Sequence, residues 1–195
     1  MKLSNLHDLL IDQLRDIYFA EKQLVRALPK MAKASSSRDL RGAFESHLGE
    51  TREHVARLEK AFQHLETPAK PKRCPAILGI LEEGEGFAGP EGKQHDPAVR
   101  DAGLIASGQR AEHYEICAYG CARAYADQLG YTEVVGLLTR TIEEEGKANK
   151  ALTGLAEGGI NQAAQDGEHA EVKPANGTRA RNGKAAKPRR TLANA

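Results

Sequence analysis

The chain has 195 residues, of which 40% are hydrophobic, 28% are charged and only 5% are aromatic, and it contains no tryptophan. This composition is typical of a water-soluble globular protein whose core is built from aliphatic side chains that favour helix. The net charge of +1 gives the chain as a whole no preference for nucleic-acid or membrane partners. The N-terminus lacks a signal-peptide pattern, and no stretch approaches the roughly 20 apolar residues of a membrane span, so we expect a cytoplasmic protein.

Four long amphipathic segments follow one another along the chain, each with apolar residues at spacings of three and four that predict a helix. A serine-rich break with Ser37 as the predicted capping residue separates the first two, and a break at Leu129-Gly130-Tyr131 with Thr132 as the predicted cap separates the last two. Short breaks force neighbouring helices to lie antiparallel, so the chain should form two helical hairpins. The four segments cover residues 4–33, 38–65, 97–129 and 132–156.

Residues 67–96 separate the two hairpins and are rich in proline and glycine, with one short helix predicted over residues 76–83. A segment of this length can carry the chain from one end of a bundle to the other. Two hairpins joined by one long crossover define the ferritin-like arrangement rather than a simple up-and-down bundle. We therefore predict an all-α, ferritin-like antiparallel four-helix bundle that spans residues 1–160.

Residues 161–195 break the helical pattern and contain hardly any large apolar side chain. Such a segment cannot bury enough surface to offset the entropy of ordering, so we predict a disordered tail. The tail has no acidic residue after Glu171 and could make weak, salt-dependent contacts with nucleic-acid phosphates, although a solubilising role fits the same composition. Its basic residues are Lys173, Arg179, Arg181, Lys184, Lys187, Arg189 and Arg190.

The three cysteines, Cys74, Cys117 and Cys121, are an odd number without a secretion signal, which favours reduced thiols. Cys117 and Cys121 are four residues apart and would share one face of a helix. Since free cysteine behaves as a small apolar side chain, we expect both to be buried rather than to bind metal or take part in redox chemistry.

Each of the four long helices carries polar residues where its pattern demands apolar ones. Glu21 continues the apolar stripe of the first helix, Glu112 that of the third and Glu145 that of the fourth. Glu115 lies about one turn beyond Glu112 on the same side. In the second helix the corresponding positions hold His47, Glu50, Thr51 and His54.

Buried carboxylates cost several kcal/mol each unless they are paired, protonated or bound to a metal. Several that converge on one level of a bundle would repel one another, and a pair of divalent or trivalent cations would remove that repulsion. Carboxylate oxygens with occasional imidazole nitrogens suit iron or manganese. Known di-metal bundles use one Glu from each of two helices and a Glu–His pair, one turn apart, from each of the other two.

Each of these residues taken alone has a simpler interpretation. Glu115, Glu144 and His54 are each expected on their own to be solvated flank residues. The run Glu143-Glu144-Glu145 leaves open whether Glu144 or Glu145 points inward. Recurrence in all four helices favours the metal site, as does the lack, in these stripes, of the cations that a salt-bridged core would need. Three tyrosines lie near enough to assist the site, although packing is the expected role of each: Tyr18, Tyr114 and Tyr119.

A set of short motifs accompanies these positions. They are Tyr18-Phe19-Ala20-Glu21-Lys22-Gln23-Leu24, His47-Leu48-Gly49-Glu50-Thr51, Arg100-Asp101-Ala102, Gln109-Arg110-Ala111-Glu112-His113-Tyr114-Glu115-Ile116, Tyr119-Gly120, Leu129-Gly130-Tyr131 and Glu143-Glu144-Glu145. Over about residues 1–160 the chain resembles the YciF/YciE-like family of ferritin-like proteins. The resemblance implies a ferritin-like bundle, a di-metal site, a homodimer and a link to stress responses.

The chain departs from that family at three glycines. Gly49 stands where the family usually has a second Glu, and Gly108 and Gly146 interrupt helices that usually carry Ala or Lys there. An interior helical Gly costs about 0.5–1 kcal/mol relative to Ala. Gly146 directly follows the candidate carboxylate of the fourth helix and so bears on the geometry of that ligand.

From these positions we predict a site for two metal ions, iron or alternatively manganese. With dioxygen or peroxide as the oxidant, such a site would act as a ferroxidase or remove peroxide in a stress response. The alternative is a stress-response structural or interaction protein whose metal site is vestigial and which contacts nucleic acid through its tail. The predicted ligands are Glu21, Glu50, Glu112 and Glu145, with His47 and Glu115 completing the set.

Overall fold

Residues 3–166 are described by the computed structural model, and every regular element in this range is helical. Short turns of other helical types occur at Glu91–Gln94 (3₁₀) and Ala156–Ile160 (π). Within the same range no helix is long and apolar enough to cross a membrane. The α-helices are α1 (Leu6–Ala34), α2 (Arg38–His64), α3 (Pro75–Ala88), α4 (Pro97–Gln128), α5 (Thr132–Leu155) and α6 (Asn161–Gln165).

Capping side chains define where the long helices begin. The hydroxyl of Ser37 accepts a hydrogen bond from the backbone N–H of Leu40 at 3.3 Å, which confirms the predicted cap of α2. Asp96 caps α4 in the same way, and a cap of this kind is worth about 1 kcal/mol. The predicted cap of α5 is wrong, because Thr132 is already the first helical residue and Tyr131, which precedes it, makes no side-chain hydrogen bond to the N-terminus of the helix.

The crossover between the hairpins runs along α1 from one end to the other. Near its beginning, the backbone N–H of Lys72 donates to the carbonyl of Arg15 at 3.0 Å. Near the end of α3, Glu85 lies 3.5 Å from the ammonium of Lys30. The chain therefore enters α4 at the end of the bundle opposite to the end where it leaves α2. This confirms the predicted ferritin-like topology.

Asp101 of α4 ties the loop between α1 and α2 to the second hairpin. Its buried carboxylate accepts hydrogen bonds from the backbone N–H groups of Ser36 at 2.8 Å and Ser37 at 2.7 Å. Bonds of this kind to a charged group contribute about 1.5–3 kcal/mol each. The two hairpins are thus fixed to each other at this end of the bundle.

Two mainly aliphatic clusters, which also contain a few aromatic rings, fill the core, and a layer of polar side chains separates them. The first cluster includes Leu10, Leu14, Ile17, Leu58, Phe62, Tyr119, Val134 and Leu138. The second includes Leu24, Leu28, Met31, Leu40, Phe44, Leu104, Ile105 and Leu152. Between them, and buried like them, lie the residues that we call the polar layer: Glu21, His47, Thr51, His54, Glu112, Glu115 and Glu145.

The glycines of α4 and α5 differ in what surrounds them. A Cβ at Gly108 would lie 3.0 Å from Cδ1 of Leu152 and 3.3 Å from Cε1 of Phe44, so the glycine allows close packing of three helices. At Gly146 no atom of residues 3–166, apart from its chain neighbours and the nearby backbone of its own helix, lies within 4 Å of the corresponding position. Because the side chain of Glu145 is nevertheless fully buried, Gly146 does not prevent that carboxylate from entering the core.

Two cysteines contradict the sequence prediction. Cys117 and Cys121 are exposed, whereas Cys74 is buried. The pair does share one face of α4, but that face lies about 200° around the helix from Glu115 and Tyr119, which point into the core. The periodicity placed the two thiols correctly relative to each other and wrongly relative to the core.

The helical part of the described chain continues past residue 160. A π turn with Gly159 at φ +146° bends the chain, which then continues as α6 to Gln165 without a buried residue. The predicted disordered tail begins at residue 161, but Asn161–Gln165 are helical. The rest of that tail, with the basic side chains from Lys173 onward, falls on residues 167–195, which lie outside the described part of the chain.

Candidate metal centre

The polar layer contains two groups of potential metal ligands that share one carboxylate. The inner group consists of Glu21, His54 and Glu145, and the outer group of His47, Glu112 and Glu145. Within each group the three donor atoms lie within 4.8 Å of one another. The sequence folds this way because each residue continues the apolar stripe of its helix, so packing of the four helices brings all five side chains to one level.

Glu145 lies between the two histidines and offers one oxygen to each. Its Oε1 is 2.9 Å from Nδ1 of His54, which in turn is 3.4 Å from Oε1 of Glu21. Its Oε2 is 3.5 Å from Nε2 of His47, which is 3.3 Å from Oε1 of Glu112. A carboxylate placed in this way is suited to bridge two cations.

The outer nitrogen of each histidine faces a further carboxylate. Nε2 of His54 is 3.0 Å from Oε2 of Glu144, and Nδ1 of His47 is 3.2 Å from Oε2 of Glu50. A carboxylate behind an imidazole fixes the ring and its tautomer, so that the other nitrogen is presented to a metal. Glu50 therefore lies behind a candidate ligand and outside the two groups of donor atoms.

A buried arginine holds Glu144 in place. Arg57 donates to both oxygens of Glu144, at 2.5 and 3.0 Å, and to the hydroxyl of Thr141 at 3.1 Å. Burial alone would raise the pKa of Glu144, but the hydrogen bonds from Arg57 and His54 outweigh it and lower the pKa to about 2. The apolar stripes of the helices contain no arginine or lysine at the level of the carboxylates, and Arg57 supplies a cation close by. Arg57, however, neutralises Glu144 and not the carboxylates of the polar layer.

Several carboxylate oxygens of the polar layer have no hydrogen-bond partner within residues 3–166. An unsatisfied buried polar atom costs about 1–3 kcal/mol, and more if it is charged. Tyr119 donates a hydrogen bond to Oε1 of Glu21, but the second oxygen of Glu21 is left without a partner. The unpartnered oxygens are Oε2 of Glu21, Oε2 of Glu112 and both oxygens of Glu115 and of Glu145.

Protons offset part of this charge when no metal is bound. Burial, together with the negative charges of Glu145 and Glu21, raises the pKa of Glu112 to about 9 against the opposing effect of His47. Burial lowers the pKa of His54, but the nearby carboxylates of Glu145 and Glu21 prevail and raise it to about 10. Burial and the neighbouring carboxylates also raise the pKa of Glu115 and of Glu145. Without metal, bound protons therefore neutralise part of the negative charge of the cluster.

Residues 5–165, which include the whole helical bundle, match the protein family described as a domain of unknown function, DUF892. The chain belongs to the DUF892 family. It is 40% identical over 168 residues to the protein YciF of Escherichia coli (strain K12), a match that covers 85% of this chain and 99% of YciF. The resemblance to the YciF-like family that the sequence motifs indicated is therefore confirmed.

Two solved structures of similar proteins have the same fold as this DUF892 chain. The crystal structure of the E. coli stress protein YciF has a TM-score of 0.77 and 38% identity, and the match covers 82% of this chain and 99% of that one. YcfI of Rhodopseudomonas palustris has a TM-score of 0.74 and 39% identity, with 78% and 95% covered. Both matches extend over most of the helical bundle.

The DUF892 bundle brings together most of the residues that the sequence singled out. Glu21, His47, Glu112 and Glu145 converge, and Glu145 rather than Glu144 points inward. Glu115 is buried in the same layer but belongs to neither group of three. Glu50, a predicted ligand, belongs to neither group and is partly exposed. The six predicted positions are Glu21, His47, Glu50, Glu112, Glu115 and Glu145.

His54 is the residue that sequence reasoning missed. It was expected on its own to be a solvated flank residue, as was Glu115, and both expectations are wrong because both side chains are buried. The signal was available in the spacing: His54 lies seven residues after His47, so the two imidazoles share one face of α2. The rings are 6.1 Å apart and each faces one oxygen of Glu145.

Proposed function

We propose that this protein binds two iron ions in the polar layer. Glu21 and His54 would hold one ion, His47 and Glu112 the other, and Glu145 would bridge them. Carboxylate oxygens with two imidazole nitrogens are a donor set that suits Fe²⁺, and Mn²⁺ has the same preference. Glu115, which is buried among the same carboxylates, supplies a further donor in the layer.

The observation that carries this proposal is the set of buried carboxylate oxygens without partners. Within residues 3–166, six such oxygens occur on four side chains of one layer, and one of them, Oε1 of Glu145, lies 2.9 Å from Nδ1 of His54. The buried arginine near them, Arg57, is engaged by Glu144. A purely structural polar core would be expected to satisfy its own groups. Buried oxygens without a hydrogen-bond partner are suited to bind a cation, because the cation offsets the free energy that these oxygens lose when they leave water.

The chemistry that we propose is oxidation of Fe²⁺ by dioxygen or peroxide, since bound iron can supply electrons to either oxidant. The residues of the chain would hold the cations and fix the orientation of the ligands. Tyr119 fixes Glu21 through its hydrogen bond, and Arg57 fixes His54 through Glu144. The similar E. coli protein YciF is described as a stress protein, so we propose that this iron chemistry serves a stress response.

Metal stoichiometry tests the proposal directly. Protein freed of metal by a chelator is loaded anaerobically with Fe²⁺, desalted and assayed for iron, with about two ions expected per chain. Glu145→Gln should lose most of the bound iron, because Glu145 belongs to both ligand groups. The matched control is Glu143→Gln on the same helix, whose exposed side chain should leave binding unchanged.

Two results would contradict the proposal in different ways. Equal iron content in Glu145→Gln and the wild type would show that the metal binds elsewhere. A wild type that retains no iron or manganese after loading would favour the alternative function, a structural or interaction protein whose metal site is vestigial.

A further inference from the structure

A cavity between α2 and α5 opens the outer ligand group to the surface. It has a volume of about 190 Å³ and is lined by His47 and Glu112 at its inner side and by Glu50 and Lys147 among its other residues. A water molecule needs only roughly 10–15 Å³ of such volume, so the cavity has room for a cation that still carries water. It is a physical connection between solvent and two candidate ligands.

Three polar side chains of the cavity, two from α2 and one from α4, form a graded path from solvent inward. The side chain of Glu50 is 44% exposed, that of His47 is 7% exposed and that of Glu112 is 4% exposed. Consecutive members of this series are 3.2 and 3.3 Å apart. One oxygen of Glu112, at the inner end of the path, has no hydrogen-bond partner within residues 3–166. A cation could therefore pass from one oxygen or nitrogen donor to the next without full loss of ligands.

Among the described residues, the rest of the cavity lining contains no further carboxylate or imidazole, and its one other oxygen-bearing side chain is the hydroxyl of Ser46. The other walls consist largely of the aliphatic and aromatic side chains of Phe44, Ala148 and Leu152. Lys147 also lines the cavity, but this residue is exposed, so water and dissolved salt screen its charge. The carboxylate and imidazole donors of the cavity thus lie on the side that leads inward.

The inner ligand group is closed on its own side. Glu21, His54 and Glu145 are fully buried, and Glu144 and Arg57 lie outside His54. The guanidinium of Arg57 is held by two hydrogen bonds to Glu144. A cation that approached from this side would meet a fixed positive charge as well as a packed surface.

We propose that the cavity between α2 and α5 is the route by which divalent cations enter and leave the metal centre, with Glu50 as the residue that first attracts them. This inference rests on the proposed metal binding and adds the path by which the ions reach the site. The outer position fills first from solvent, and the inner position fills through it across Glu145. Glu50 acts on the rate of access and orients His47, and it is not one of the groups that hold the bound ions.

Rates of metal uptake and release test this route. Metal-free protein is mixed with Co²⁺, whose visible absorption reports binding, and release is followed after addition of a chelator. Ala148→Leu narrows the cavity and should slow uptake and release by the same factor, leaving stoichiometry and affinity unchanged. Glu50→Gln keeps an acceptor for His47 and removes the charge, so uptake should slow about tenfold and should depend less on salt concentration.

Matched variants separate access from general disturbance. Glu53→Gln removes an exposed carboxylate from the same helix, and Ala106→Leu adds the same bulk at an exposed position of α4. Both should show wild-type rates. Circular dichroism and melting temperature identify a variant that folds poorly, and Glu50→Gln adds no bulk, so the test does not depend on Ala148→Leu alone.

The outcomes distinguish this inference from the proposed function. Binding of two ions with wild-type rates in both Ala148→Leu and Glu50→Gln would overturn the route and leave the metal centre intact. A loss of affinity without a change in the association rate in Glu50→Gln would show that Glu50 is a ligand instead. Absence of Co²⁺ binding in the wild type would overturn both.

Discussion

Glu112 shows how a single carboxyl group of the polar layer affects stability in the absence of metal. Its pKa is about 9 in the folded protein, against an ordinary value of 4.5, chiefly because it is buried. Between these two pH values the unfolded chain loses a proton that the folded chain retains. The group therefore lowers the free energy of unfolding as pH rises from about 4.5 to 9.

We predict that Glu112→Gln makes the metal-free protein less sensitive to pH. The amide has nearly the same volume and does not ionise, so the decline in stability between pH 5 and pH 9 should become shallower than in the wild type. Urea unfolding at several pH values in the presence of a chelator measures this slope. Iron should stabilise the wild type more than the variant, because it binds the folded state.

The control for this prediction is Glu143→Gln, which replaces an exposed carboxylate on α5. Its stability should follow that of the wild type at every pH. A Glu112→Gln variant with the same pH slope as this control would mean that Glu112 ionises freely in the folded protein, contrary to its burial.

Helix phase explains which site residues the sequence could identify. With about 100° per residue, His54 lies only about 20° around α2 from His47, whereas Glu50 lies about 60° away in the direction opposite to Phe44. The angular positions therefore identify one face of α2, with His54 near the centre of that face and Glu50 at its edge. They could not show that Glu50 would turn toward the outer nitrogen of His47, because that choice depends on the partner helices.

At the scale of the helix, the glycines of α4 and α5 have opposite effects. Gly108 lies where Leu152 and Phe44 come closest to α4, and Gly146 has free space around it. Replacing a helical glycine by alanine favours the helix by about 0.5–1 kcal/mol when there is room for the methyl group. Where there is no room, the added methyl forces neighbouring side chains aside at a cost of about 1–3 kcal/mol.

We predict that the two alanine substitutions change the melting temperature in opposite directions. Gly146→Ala should stabilise the protein by about 0.5–1 kcal/mol. Gly108→Ala should destabilise it by about 1 kcal/mol, because a mid-range overpacking cost of about 2 kcal/mol exceeds the helix gain. Thermal and urea unfolding of both variants measure the difference. Stabilisation by Gly108→Ala would show that Leu152 and Phe44 can move aside without loss of packing.

The sequence located the four long helices to within one or two residues because caps and short breaks mark their ends. It was less accurate for the crossover helix, which was expected over residues 76–83 and extends over Pro75–Ala88. Gly84 and Gly86 indicated an end to that helix on propensity grounds. In the fold α3 packs on α1 and α4, and a Cβ at Gly84 would lie 3.3 Å from Cβ of Ser107, so tertiary contact outweighs propensity there.

At the scale of the whole molecule, charge is distributed unevenly between the bundle and the C-terminal segment. Seven of the 28 basic and two of the 27 acidic residues follow Asp166. The chain up to Asp166 therefore has 21 basic and 25 acidic residues, a net charge of −4 compared with +1 for the full chain. The net charge therefore favours the segment after Asp166 as the part of the chain that would attract nucleic acid, since the bundle carries the same net sign of charge as the phosphates.

We predict that truncation after Asp166 removes any retention on DNA at low salt and leaves folding unchanged. Both aliphatic clusters and the polar layer are formed by residues before Asp166, so the melting temperature should stay within about 2 °C of the full-length value. Band-shift assays over a range of salt concentrations and thermal unfolding measure the two properties. A full-length variant with its seven C-terminal cations changed to Gln is the control for length, and DNA binding by the truncated protein would locate the contact on the bundle.

The polar layer also has a consequence for the alignment of the helices along the bundle axis. Aliphatic stripes repeat with each turn, so helices packed only through them could slide by one turn, about 5.4 Å, and still find similar neighbours. Here such a slip would push Glu21 or Glu145 into an aliphatic cluster and separate it from its histidine, at a cost of several kcal/mol. We therefore expect the layer to select one axial register among alternatives that hydrophobic packing alone would scarcely distinguish.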